Sequence, residues 1–250
     1  MAELVILTGA SRGMGLAMAE QLLRPGLTLV TLERKPAAEL AAQASAAGAT
    51  LVPLAFDLTH AEGAAAGLAA WLHGQRADAF ASATLINNAG IVGRVGPIEQ
   101  DSAASVASVM RVDLEAPMLL TQAFLLQTAA WAGSRRVLNI SSGAGRRAIA
   151  GWAAYCTAKA GIDQFTRVVA LDEARKPNGA KIVSLAPGVI DTGMQDHLRA
   201  ADASGFPDLA RFVDLKNSGQ LTSPADAAAR VLAYLARDDF GSEPIADVRG

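Results

Sequence analysis

Tyr155 and Lys159 stand four residues apart in a stretch with helical patterning, a spacing that puts a phenol and an ammonium on one helical face. A tyrosine with a pKa near 10 is a poor proton-transfer group at neutral pH. An adjacent cation favours the phenolate, so the pairing is expected to lower that pKa. A phenol adjusted in this way gives a proton to a carbonyl oxygen, or takes one back in reverse. Ser142, at the end of an expected strand, can hydrogen-bond that same oxygen and fix its position. Any helix can carry Tyr and Lys four apart, so the pair alone does not separate chemistry from a structural contact.

A second constellation lies near the N-terminus. Thr8-Gly9-Ala10-Ser11-Arg12-Gly13-Met14-Gly15 follows the apolar run Leu4–Leu7 and precedes the helical run Leu16–Leu23. Glycines there let the chain turn sharply and let a pyrophosphate approach the helix N-terminus, where free N–H groups and the dipole favour anions. Strand before and helix after is the context that a nucleotide site requires. At the end of the next expected strand come Glu33, Arg34 and Lys35. An acidic residue there suits the ribose hydroxyls of NAD, whereas arginine suits the 2′-phosphate of NADP. Both signals are present, and the residues alone leave NAD(H) and NADP(H) open.

These residues need a scaffold, and the alternation of the chain supplies one. Strands are expected near Leu4–Thr8, Leu27–Leu32, Thr50–Phe56, Thr84–Asn87, Arg136–Ile140, Lys181–Leu185 and, more weakly, Ile245–Val248. Alanine-rich segments with helical spacing begin near Gly13, Pro36, Ala61, Ser102, Ser142 and Pro224. Alternating strand and helix predicts a doubly wound parallel sheet with helices on both faces, and continuous apolar strands fit a sheet covered on both sides. Ser223-Pro224 with Asp226 has the cap, the N1 proline and the first-turn carboxylate of a helix start. The mixed stretch of residues 192–221 departs from the alternation and is expected to be an irregular substrate lid. The expectation is one domain over residues 1–250.

Composition narrows the classes. Of 250 residues, 51% are hydrophobic and 18% charged, with 22 basic against 24 acidic side chains and a net charge of −2. That apolar fraction fills a core, and the charge balance offers no global field for nucleic acid phosphates. One cysteine, Cys156, excludes an intrachain disulfide and a cysteine metal cluster and fits a reducing cytoplasm. His60, His73 and His197 are spaced too widely for a metal triad, and no metal is expected. No apolar run reaches the ~20 residues of a membrane span, and Met1–Leu7 lacks the basic start of a signal peptide.

Taken in order, Thr8-Gly9, Gly13, Gly15, Asn87-Asn88-Ala89-Gly90, Ser142, Tyr155, Lys159 and Pro187-Gly188 with Thr192 resemble the short-chain dehydrogenase/reductase family over essentially the whole chain. The resemblance implies a single Rossmann-type domain, with Tyr155 as acid/base, Lys159 also holding the nicotinamide ribose, and Ser142 orienting substrate. It further implies the Gly9–Gly15 loop, with Ser11, Arg12, Gly13 and Met14, for the pyrophosphate. Asp57 and Leu58 would meet the adenine edge, and Asn88, Ala89 and Gly90 the adenosine side. Pro187, Gly188, Val189 and Thr192 would border the nicotinamide.

Gly151–Cys156, Ala170–Glu173 and Ala186–Gln195 resemble the branch of sepiapterin reductases and bacterial benzil reductases. That likeness implies NADP(H) held through Arg12 and Arg34, with Glu33 as the objection, and Asp247 at the place of a pterin-anchoring carboxylate. Many family members carry an asparagine where this chain has Asp113, which if ionised only accepts hydrogen bonds. Reduced or pH-shifted activity is expected from that exchange. Ile91, Ala144, Ile149, Trp152, Val189, Met194, Leu198, Phe206 and Phe212 are expected to wall an apolar pocket for a ketone or diketone. The leading expectation is an NADPH-dependent carbonyl reductase forming a homo-dimer or tetramer. An NAD-linked alcohol dehydrogenase and a non-catalytic cofactor-sensing regulator are the alternatives.

Overall fold

The β-branched and leucine-rich runs form seven strands: β1 (Ala2–Thr8), β2 (Leu27–Glu33), β3 (Thr50–Ala55), β4 (Phe80–Asn87), β5 (Ser134–Ile140), β6 (Lys181–Ala186) and β7 (Ile245–Asp247). In the computed structural model, which describes residues 2–249, they make one sheet in the order β3-β2-β1-β4-β5-β6-β7. Every described pairing is parallel. Met1 and Gly250, the ends of the expected domain, lie outside the described residues. All seven expected strands form; β4 starts at Phe80, four residues earlier than expected.

Strand alternation sends side chains to two faces. On β1, Val5 and Leu7 join one apolar core, with Met18 and Leu22 of α1 (Gly13–Leu22), Leu40 of α2 (Leu40–Ala46) and Val231 of α9 (Pro224–Leu235). Leu4 and Ile6 join the other, with Leu68 of α3 (Ala61–His73) and Leu120 and Phe124 of α5 (Ala116–Gln127). The doubly wound architecture follows from this division. Pro53 is accommodated because β3 is the sheet edge, where a missing N–H disrupts no inner ladder.

Three stretches depart from the sequence reading. The helix expected near Pro36 starts at Leu40. The one expected near Ser142 is first a 3-10 turn at Gly143–Gly145, and α6 runs Ala153–Ala174. Residues 192–221, expected to be irregular, contain two helices, α7 (Gly193–Arg199) and α8 (Leu209–Asn217). A parallel bridge between Ile190 and Thr222 closes the base of that segment, and Lys216 Nζ to Asp191 Oδ2 (2.6 Å) clasps it. Phe206 and Phe212 bury themselves against Trp152, which gives the segment a small core and hence regular structure.

The strand order reverses between β1 and β4. Open α/β sheets bind ligands in the crevice beyond the strand ends at such a reversal. Thr8 and Asn87 end those two strands, so the glycine loop and the Asn88–Gly90 turn face each other there.

Candidate active site

Thr8 joins the two loops. Its hydroxyl oxygen accepts from the N–H groups of Asn88 and Ala89, both at 2.9 Å, and Asn88 Nδ2 donates to the Thr8 carbonyl at 2.9 Å. A Cβ on Gly15 would come 2.0 Å from the Gly9 carbonyl oxygen and 2.5 Å from Asn88 Nδ2, so only glycine lets the loop close on the strand end. Arg12 precedes α1 without a side-chain cap, and the first turn of the helix holds no acidic residue. Its free N–H groups, with Ser11 and Arg12 exposed around them, therefore suit a phosphate-bearing ligand. The Thr192 methyl lies 3.3 Å from where a Gly13 Cβ would stand, which brings the start of α7 to the same loop.

Glu33 behaves differently from either sequence expectation. Its carboxylate is buried and turned inward, accepting from Thr31 Oγ1 at 2.7 Å and from the Ala10 N–H at 3.3 Å. Burial pushes its pKa up, against those two hydrogen bonds. Arg34 and Arg12 remain exposed. Asp57 is held low by the N–H and hydroxyl of Thr59, at 3.0 and 2.9 Å, with Arg34 contributing. Leu58 beside it is buried. Asn87, one residue before the turn, ties strands together: its amide donates to Asn139 Oδ1 at 2.8 Å, and Asn139 donates to Thr166 at 2.9 Å.

At the ends of β4 and β5 a polar cluster forms. The stretch Ala103–Met110 is α4, and a π-helical turn at Arg111–Glu115 joins it to α5. Such bulges widen a helix locally and collect at functional sites. Here the bulge carries the fully buried Asp113. Asp113 Oδ1 accepts from the Ile91 N–H at 2.8 Å, and Oδ2 lies 3.0 Å from Lys159 Nζ. Gly90 leaves room for this pair, because a Cβ there would sit 3.0 Å from Asp113 Oδ2. Lys159 Nζ also donates to the Ile140 carbonyl at 3.1 Å and stands 5.5 Å from the centre of the Tyr155 ring. The Ser142 hydroxyl accepts from the Ala144 N–H at 3.1 Å and stands near enough to the Tyr155 phenol to favour its ionised form. Ser142, Tyr155, Lys159 and Asp113 thus lie together at the strand ends.

The expected acidity of Tyr155 is corrected by this geometry. Burial pushes the phenol's pKa above its ordinary value; Lys159 pulls it down, and Asp113 pushes it up again. Burial disfavours the Lys159 charge too, but Asp113 and Tyr155 outweigh it and hold the ammonium above the usual lysine range. Burial also raises the Asp113 carboxyl, opposed by Lys159 and the Ile91 N–H.

Of the expected pocket residues, Ala144, Ile149, Trp152, Leu198, Phe206 and Phe212 form one buried cluster with Tyr155, and Ile91 and Met194 pack against it. Trp152 meets Tyr155 edge-on at 5.5 Å and stacks on Phe206 at 5.6 Å. Val189 stays outside the cluster; its carbonyl accepts from Thr222 N–H at the segment base. Gly188 adopts φ +87°, between buried Pro187 and half-buried Val189. Asp247 ends β7 with both carboxylate oxygens taken by Arg249, at 2.8 and 2.6 Å, and with Arg146 Nη1 at 3.9 Å.

Three participants escaped the sequence reading. The Ile140 carbonyl has no side-chain signature, and the π-turn has none either. Asp163 continues the four-residue spacing of Tyr155 and Lys159, so its place on that helical face was legible. It is buried and takes hydrogen bonds from Ser184 at 2.6 Å and Arg146 at 3.3 Å.

The chain is similar over most of its length to known proteins of one family. The family model for short chain dehydrogenase matches residues 3–203. The benzil reductase ((S)-benzoin forming) of Bacillus cereus is 38% identical over 236 residues, covering 94% of this chain and 95% of that protein. The sepiapterin reductase of Rattus norvegicus is 34% identical over 250 residues, covering 95% and 92%. Among solved structures, the KRED1-Pglu enzyme superposes with a TM-score of 0.80 at 27% identity, covering 97% of this chain and 99% of that one. With the sheet reversal, the closed glycine loop and the Ser142–Tyr155–Lys159 cluster in one crevice, the chain belongs to the short-chain dehydrogenase family and is an oxidoreductase acting on the C=O/CH–OH pair.

Proposed function

We propose that the chain is an NADP(H)-dependent carbonyl reductase that converts a ketone or diketone to the alcohol, with Tyr155 as proton donor. The observation that carries this reading is the buried Tyr155 phenol beside Ser142, with the Lys159 ammonium 5.5 Å from its ring centre. A bound reduced nicotinamide would supply the hydride. Gly9, Ser11, Arg12, Gly13, Met14 and Gly15 would hold the pyrophosphate on the uncapped α1 terminus, and Pro187, Gly188, Val189 and Thr192 would border the ring. Asp57 and Leu58 would meet the adenine, and Asn88, Ala89 and Gly90 the adenosine side. Ser142 fixes the substrate oxygen, and Tyr155 protonates it as negative charge develops. Lys159 keeps that phenol oriented and reaches the ribose.

NADP(H) is preferred over NAD(H) because Glu33 is spent on Thr31 and Ala10, leaving Arg34 and Arg12 for a 2′-phosphate. The apolar cluster with Ala144, Trp152 and Met194 favours an aromatic or aliphatic carbonyl compound, in keeping with the benzil reductase relatives. The reading includes a cytoplasmic homo-dimer or tetramer, and no nucleic acid or membrane partner. Among the described residues, no helix is long and apolar enough to cross a membrane.

The test follows NADPH and NADH oxidation with benzil, isatin, menadione and sepiapterin. Turnover of a dicarbonyl with NADPH is expected. Tyr155→Phe is expected to lose roughly 10²–10⁴-fold in kcat while circular dichroism stays unchanged. Undiminished reduction by that folded variant would remove Tyr155 from the reaction, and faster turnover with NADH would reverse the cofactor preference.

A further inference from the structure

The proton-donor role assigned to Tyr155 above, on which this inference rests, needs a phenol that still holds its proton. Two carboxylates, Asp113 from the π-turn and Asp163 from α6, lie close enough to act on Lys159, and Cys156 neighbours Tyr155 on the same helix. Asp163 is engaged elsewhere, by Ser184 and Arg146. Asp113 has Lys159 as its salt-bridge partner and is pinned by the Ile91 N–H. The ammonium is 3.0 Å from the Asp113 oxygen, and the centre of the Tyr155 ring lies 5.5 Å from the same nitrogen. Coulomb energy falls with distance, and a carboxylate this close cancels much of the field that a lone ammonium would exert on the phenol.

We propose that Asp113 is a positioning residue that draws the Lys159 charge to itself, so that Tyr155 waits as a neutral proton donor and not as a phenolate base. Reduction, which needs the phenol, is then served across neutral pH. Alcohol oxidation, which needs the phenolate, sets in only in more alkaline solution. Asp113→Asn keeps the acceptor for Ile91 N–H while removing the negative charge, so it separates electrostatics from packing.

The experiment is an ultraviolet phenolate titration of the cofactor-free protein. The chain has only two tyrosines, Tyr155 and Tyr234, so Tyr155→Phe supplies the Tyr234 baseline. In the wild type the Tyr155 midpoint is expected above about 10, and in Asp113→Asn lower by about half a unit or more. The basic limb of the reduction pH profile should move down by the same amount. A midpoint that stays put would mean that Asp113 already carries a proton; one that rises would mean that Lys159 has given its proton up. Either result overturns the proposal. Should the unpaired ammonium prevent Asp113→Asn from folding, the wild type decides: a Tyr155 midpoint at or below about 10 overturns it. Because no cofactor or substrate is present, failure here leaves the turnover test of the proposed function standing, and failure there leaves this titration readable.

Discussion

Glu33 and Arg34 are adjacent in sequence yet face opposite surroundings, and the difference decides how each can act. A carboxylate on the rim of the crevice would repel a phosphate; one that accepts from Thr31 and Ala10 beneath the glycine loop is spent on structure. Arg34 stays in solvent, with its planar donor fork free. Arg34→Ala is therefore expected to raise KM for NADPH about tenfold, the loss of one charge-assisted contact, and to leave KM for NADH nearly unchanged. Initial rates with the two cofactors check this, and an equal rise for both would place Arg34 away from the 2′-phosphate. The neighbouring acid and base were readable as a conflict; where the Glu33 carboxyl points was not, because χ angles and burial set it.

At the scale of elements, the three-residue strand β7 combines a short ladder with charge. It is held by its parallel pairing with β6, by the Val248 N–H to Ala186 carbonyl bond at 3.1 Å, and by Arg146, which donates to the Ala246 carbonyl at 2.7 Å and lies 3.9 Å from the Asp247 carboxylate. The Arg249 hydrogen bond holds the Asp247 carboxyl below its usual range. A depressed carboxylate pKa contributes stability that is complete above the unfolded value of about 3.9 and is lost as pH falls through the lower folded value. The amide of Val248 is thus expected to lose hydrogen-exchange protection below about pH 4, before the amides of β1 do. Equal loss in both strands would show that the ion pair does not hold β7. The helix α6 shows the complementary case: its four-residue spacing of Tyr155 and Lys159 was plain in the sequence. Its start at Ala153 was obscured by the 3-10 turn that Ser142 caps.

Over the whole molecule, the outward side of α5 and α6 stands out. Leu126 is 68% exposed and Leu171 70%, and Met118 and Val168 are also exposed on these helices. On the inward side, Leu119, Leu120, Phe124 and Leu125 of α5 and Val169 and Ala170 of α6 belong to the core that covers the sheet. A patch of this kind suits contact with a second copy of the chain. Leu171→Asp is expected to convert a dimer or tetramer to a smaller species in size-exclusion chromatography with light scattering. A wild type that already elutes as a monomer would contradict this reading.

Periodic and local features were determined by the amino-acid sequence itself. The positions of the strands, the glycine loop between Thr8 and Gly15, the Ser223 cap and the common face of Tyr155 and Lys159 are all written in residue types that stand within a few positions of one another. Only the tertiary structure decided which charges meet. Asp113 reaches Lys159 because a π-turn swings it beneath Gly90, Glu33 folds under the first loop, and residues 192–221 become helical by burying Phe206 and Phe212 on Trp152. Electrostatic pairing and desolvation depend on separation in space, and spacing along a chain does not encode the distance between two elements that pack together.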